Sequence, residues 1–115
     1  MRNFREYDIW QDSMNLVEYV YRTVESFPKN EQYVLSQQMM RCAISIPSNI
    51  AEGSAKESEK DFGRFLQIAL GSLFELETQV VLAKNLNYLE DTSDIVDKLH
   101  SLQRRIQGLI KKLKE

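Results

Sequence analysis

His100 is the only histidine and Cys42 the only cysteine among 115 residues, and no other side-chain types ordinarily exchange a proton or act as a nucleophile close to neutral pH. Asp97 and His100 stand at i, i+3, a spacing by which one helix can offer a carboxylate and an imidazole to a metal ion. A di-metal bundle needs two such pairs and further glutamates, which a single histidine does not supply, so His100 reads as a partly exposed helix residue. The chain shows no Ser/His/Asp or Cys/His set, no glycine-rich phosphate loop and no zinc-ligand spacing. Cys42 fits a small buried apolar residue. These residue types predict a protein that is not an enzyme and takes neither metal nor cofactor.

The remaining polar chemistry lies in two groups of charges. From Arg104 to Lys114 there are five basic residues and no acidic one. At helical spacing Arg105 and Lys112 share one outward face, and Arg104 and Lys111 share the adjacent one. Repeated around a ring of subunits, that patch could hold a phosphate backbone by charge. Alternatively it is a solvated face whose cations favour the negative end of a helix. The second group is a polar stripe, Gln38, Arg41, Ser45, Asn49 and Glu52, matched by Arg64, Ser72, Glu75 and Gln79. If the two segments fold back antiparallel near Lys56, Arg41 faces Ser72 and Glu75, and Asn49 and Glu52 face Arg64. Arg41–Glu75 and Glu52–Arg64 are therefore expected as interhelical pairs, whose bidentate geometry fixes register. Ion pairing moves carboxylates away from the range acid–base catalysis uses, so the stripe reads as structural.

The elements that must position these residues are four helices. In the first, about Asp8 to Ser26, Trp10, Met14, Val17, Tyr21 and Val24 step along one face, and Phe27-Pro28 ends it. The second, about Glu31 to Glu52, carries Leu35, Met39, Cys42, Ile46 and Ile50. Pro47 lies inside that pattern, so a kink is expected, and Gly53 is placed as a terminating C′ residue. Ser58 can cap the third helix, with Asp61 three residues on. That helix, about Glu59 to Asn87, keeps Phe62, Leu66, Ala69, Leu73, Leu76, Val80 and Ala83 in a bundle seam. Thr92 or Ser93 caps the fourth, which presents Ile95, Leu99, Leu102, Ile106, Leu109 and Leu113. Short turns make neighbours antiparallel, so the expected fold is all-α, a single up-down-up-down four-helix bundle over residues 1–115.

Composition agrees. With 43% apolar residues, 4 glycines and 2 prolines, the chain is neither disordered nor collagen-like. A folded monomer of this size would expose roughly 6,500 Å² of about 19,600 Å², enough burial for a core without staples. The charges, 15 basic against 17 acidic, are not those of a protein that coats DNA. A lone cysteine excludes an intramolecular disulfide and fits a reducing compartment. The start of the chain lacks the apolar core of a signal peptide, and the longest apolar stretch, Val80 to Ala83, is far short of a membrane span. A cytoplasmic protein with no membrane contact is expected.

The apolar surface exceeds what one bundle hides. The first helix carries a second stripe, Ile9, Leu16, Val20 and Phe27, about 100° from its first. Outside its seam the third carries Leu70, Phe74 and Val81 on one flank and Ile68, Leu82 and Leu86 on the other. A helix apolar on nearly all sides is normally buried on all sides. The surplus predicts an oligomer interface at Ile9, Leu16, Val20, Leu70, Phe74 and Val81.

The stretch Arg41-Cys42-Ala43-Ile44-Ser45-Ile46-Pro47-Ser48-Asn49-Ile50-Ala51-Glu52-Gly53, the block from Phe65 to Gln79, Ile9-Trp10-Gln11 and Phe27-Pro28 together resemble the four-helix-bundle proteins encoded in 23S rRNA intervening sequences. That family is similar to the accessory variability determinant proteins of diversity-generating retroelements. The resemblance spans nearly the whole chain. It implies a homopentameric barrel, and the family's retroelement relatives are basic and bind nucleic acid and the reverse transcriptase. Here the net charge is −2, which confines an RNA contact to Arg104, Arg105, Lys111 and Lys112, with Arg41 and Arg64 as lesser candidates. The expected partners are further copies of the chain and RNA or a nucleic-acid-processing protein. The competing expectation is a protein–protein scaffold that ignores nucleic acid.

Overall fold

A computed structural model describes residues 2–31 and 34–115. Among them are four α-helices and no strand: α1 (Asp8–Val24), α2 (Leu35–Ser54), α3 (Glu59–Asn85) and α4 (Ser93–Lys114). Short 3-10 turns at Phe4–Glu6 and Lys29–Glu31 precede α1 and α2. The second helix thus begins at Leu35 rather than near Glu31, and residues 32 and 33 of the expected span lie outside the described residues.

The helix ends follow local chemistry. The Ser58 hydroxyl accepts from the Asp61 amide at 3.1 Å, as its position predicts. At the far end of α3, Asn87 adopts φ 65°. The Asn87 amide returns to the Lys84 carbonyl and the Tyr88 amide to that of Ala83, a Schellman closure with asparagine in the left-handed position. Neither Thr92 nor Ser93 caps α4 with its side chain. Asp91 does so instead, its carboxylate accepting from the Ser93 amide at 2.9 Å, and the basic residues Lys111, Lys112 and Lys114 occupy the last turn.

The buried side chains form one cluster drawn from all four helices. From α3 it takes the whole expected seam, Phe62 to Ala83. In α1 the core falls mainly on the second stripe. Ile9, Leu16 and Val20 are buried, with Phe27 just beyond the helix; of the first stripe Val24 is buried as expected, Trp10 and Val17 are half-buried against the core, and Met14 and Tyr21 are exposed. Ile9, Leu16 and Val20 are therefore not an oligomer interface; they hold the monomer together. Ser13 disguised this face by interrupting its apolar run. It is fully buried, and its hydroxyl is satisfied by the Trp10 carbonyl at 2.8 Å, so a serine is accommodated there without an unpaired polar group.

Gly53 differs from its expected role as well. It lies inside α2, not beyond it, and no glycine has positive φ. A Cβ on Gly53 would stand 2.6 Å from Phe65 Cβ and 3.1 Å from Phe62 Cδ1. The residue is glycine because α2 and α3 touch there. The N-terminal segment crosses the same junction. Arg2 donates to the Lys56 carbonyl at 2.6 Å and lies 4.7 Å over the Phe62 ring.

The molecule measures 44 × 22 × 19 Å, with a radius of gyration of 14.6 Å against about 13.3 Å for a compact domain of this length. It exposes 7102 Å², more than the roughly 6,500 Å² expected. α3 is by length and composition apolar enough to cross a membrane, with a mean hydropathy of 1.3 over its most apolar stretch; in this fold its seam is packed against the other helices.

Candidate nucleic-acid interface and assembly surface

The basic end of α4 divides in two. Arg104, Lys111 and Lys112 are exposed, and none of them forms an ion pair within the chain among the described residues. Arg105 is half-buried, and its guanidinium meets the Asp12 carboxylate of α1 at 2.8 Å. The groove around that pair, about 410 Å³, is also lined by Asp94 and Asp97, so Arg105 faces carboxylates rather than an open path for phosphates. The stripe shared by Arg105 and Lys112 is thus basic only at its Lys112 end.

The polar stripe between α2 and α3 is real, but its partners differ from those expected. Ser45 and Ser72 share a hydroxyl–hydroxyl bond of 2.8 Å. Asn49 turns back to the Ser45 carbonyl at 2.8 Å and to its hydroxyl at 3.0 Å. The Cys42 thiol donates to the Ser72 carbonyl at 3.0 Å. Burial, then the neighbouring Glu75 carboxylate, pushes that thiol up to about 12, so Cys42 stays protonated and unreactive. Neither ion pair forms. Arg41, Glu52 and Glu75 are exposed, and Arg64 meets Asp61, one turn before it, at 3.5 Å. Long side chains at the rim stay in water, because an exposed pair is worth little, while the short hydroxyls lie where the helices meet.

One polar cluster had no counterpart in the sequence reading. Glu77 of α3 accepts from the Gln103 amide at 2.8 Å and bonds His100 Nε2 at 3.1 Å. Gln103 is buried, so it occupies a core position of α4. The signal was available: His100 and Gln103 stand at i, i+3 beside the apolar stripe. The Gln103 hydrogen bond, opposed by burial and aided by His100, holds the Glu77 carboxylate below its ordinary range. A depressed carboxylate adds stability above its unfolded value and loses it as pH falls through the folded one. The advantage of the wild type over Glu77→Gln in urea denaturation is therefore expected to shrink as pH is lowered from about 7 to about 3; a constant difference would contradict the assignment.

The exposed apolar side chains of α3 fall on two flanks of the helix. Phe74 and Val81 are 47% and 50% exposed, and Ile68, Leu82 and Leu86 on the opposite flank are between 45% and 50%. Leu70 is half-buried against the core. A shallow groove of about 330 Å³ between α1 and α2 is lined by Trp10, Met14, Val17, Ile44 and Pro47, so exposed apolar side chains and an apolar groove belong to different helices. Among the described residues no group of three or more potential ligands could hold a metal ion.

A family model described as 23S rRNA-intervening sequence protein matches residues 5–113. No curated protein matches the chain.

Proposed function

The chain belongs to the 23S rRNA-intervening sequence protein family, and from that membership we propose a non-enzymatic, cytoplasmic helical protein that assembles into a homo-oligomeric ring and contacts RNA through the basic end of α4. The observation that carries the assembly is the exposure of Ile68, Phe74, Val81, Leu82 and Leu86 on one helix. So many large apolar side chains on a single element mark an interaction surface. The occupant is a second copy, because the chain itself carries both large exposed apolar side chains on α3 and an apolar groove between α1 and α2. Unlike faces that fit each other generate a ring when the rotation closes, and the resemblance drawn from the motifs supports a ring of five. Within each copy the helices run up-down-up-down. This is supported by the order of contacts between α2 and α3, where Cys42 and Ser45 meet Ser72 while Gly53 meets Phe65.

The RNA contact is supported by Arg104, Lys111 and Lys112, exposed and free of ion pairs among the described residues, together with Lys114 in the same last turn. Neutralising about four phosphates of a single strand predicts a log–log salt slope near −3, or roughly 50-fold weaker binding at 200 than at 50 mM salt. Filter binding of an intervening-sequence transcript checks this. Lys111→Glu with Lys112→Glu should remove most of the affinity. If the assembled protein retains no RNA even at low salt, the RNA contact is wrong and the ring serves to dock another protein.

A further inference from the structure

A cleft of about 430 Å³ opens between the start of α3 and the end of α4. Lys60, Gly63 and Arg64 line it from α3, and Ile110, Leu113 and Lys114 from α4. Glu59 is the acid in its lining and Gln67 its neutral polar group. Its floor has a feature that packing within the chain does not explain. Gly63 sits in the interior of a helix, where alanine would be favoured by about 1 kcal/mol, and a Cβ there would meet nothing within 4 Å. Gly53 is required by Phe65; Gly63, like Gly71 and Gly108, meets nothing in the described chain that requires glycine, and of these three it is the one that lines this cleft. Its effect is to leave a flat, open patch of backbone beside Ile110 and Leu113, the former 8% exposed.

Cations surround this apolar floor. Among the described residues Lys60 and Lys114 form no ion pair, and Arg64 has only the 3.5 Å contact to half-exposed Asp61, which leaves its charge largely available. The matching ligand is an anion with a flat apolar body. Lys111 and Lys112 lie on the same last turns of α4, so positive charge continues beyond the cleft. That favours a chain of phosphates over a single anion.

We propose that the cleft holds one nucleotide of a single-stranded RNA, its phosphate among Lys60, Arg64 and Lys114 and its base laid on Gly63, Ile110 and Leu113. The proposal rests on the RNA reading above and gives it a site. Base contact makes the binding prefer single strands over a duplex, in which the base faces are stacked.

The test is fluorescence anisotropy of a labelled oligouridylate with the full chain. Gly63→Leu fills the floor without altering charge, and leucine favours a helix, so the fold should persist. It is expected to weaken binding about tenfold with an unchanged salt slope. Lys60→Gln with Lys114→Gln should instead flatten the slope by about 0.7, the share of one phosphate, and it decides the matter alone if Gly63→Leu disturbs assembly. If Gly63→Leu assembles normally and binds like the wild type, or if the glutamine pair leaves the slope unchanged, the cleft is not the site. The RNA reading would survive that result if Lys111→Glu with Lys112→Glu still weakens binding. Equal competition by adenosine monophosphate would reassign the cleft to a free nucleotide and overturn the proposal. A wild type that binds no oligouridylate at low salt overturns both readings.

Discussion

Truncating Phe62 to alanine is expected to lower stability by about 3–5 kcal/mol, the range for a fully buried aromatic. Phe62 has no exposed surface, and three segments converge on its ring. The Tyr7 ring is 6.0 Å away centroid to centroid, the Arg2 guanidinium lies 4.7 Å over its face, and Gly53 of α2 leaves its own Cβ position empty beside Cδ1. Removing the ring would leave a cavity beneath the N-terminal segment and strip Arg2 of its cation–π partner. The neighbours cannot close over it easily, because the approach of α2 is already limited by Phe65 Cβ. Urea denaturation at a fixed protein concentration checks the value, since the proposed assembly would make apparent stability depend on concentration. Phe62→Leu should lose less than half as much, because it retains most of the buried volume. A loss below about 1 kcal/mol for the alanine variant would mean that the junction is not a packed core.

That junction also marks where sequence reading stops. Gly53 was visible as a glycine near a helix end, and the local rule makes it a C′ residue. The structure uses the same absence of a side chain for a different reason, contact with a helix whose approach no local rule predicts. The seam of α3 was legible because it is purely apolar at strict spacing. The core face of α1 was legible as a second stripe but its role was not, because buried Ser13 shortens it while Trp10, Met14, Val17 and Tyr21 make a longer unbroken stripe that is only half-buried or exposed. Periodicity counts apolar side chains and cannot distinguish a face covered by its own chain from one awaiting another. The ion pairs failed for a related reason. Helical angles placed Arg41 near Glu75 and Glu52 near Arg64 in projection, yet the chains are long enough to stay in water, and only Ser45, Ser72 and Cys42 are short enough to meet between the helices. Arg105 was assigned to an outward face, although its angle also faces α1, where Asp12 holds it. The Glu77–Gln103 contact joins residues 26 apart in sequence, and a spacing rule within either helix cannot pair them.

The exposed stripe of α3 gives the second large effect. Replacing both Phe74 and Val81 by lysine is expected to convert the assembled protein into a 13.5 kDa particle, as read by light scattering or sedimentation. About half of each side chain is already in water, so the monomer should keep its helical content and unfold cooperatively. At the contact between copies, two buried apolar groups would become two buried charges without partners. Interface anchors are worth about 2–4 kcal/mol each when truncated, and an unpaired buried charge adds to that. The combined change corresponds to at least about a thousandfold in the association constant. A lysine in the groove between α1 and α2, at Ile44, tests the geometry. If the α3 side chains of one copy fill the groove of the next, each variant alone is monomeric, because one half of every contact is broken. Mixing them should then yield heterodimers and nothing larger, since the intact groove of one variant accepts the intact α3 face of the other while the remaining faces cannot propagate. A contact that pairs identical faces by a two-fold axis predicts no rescue on mixing. A wild type that stays at 13.5 kDa across the whole concentration range would remove the assembly altogether.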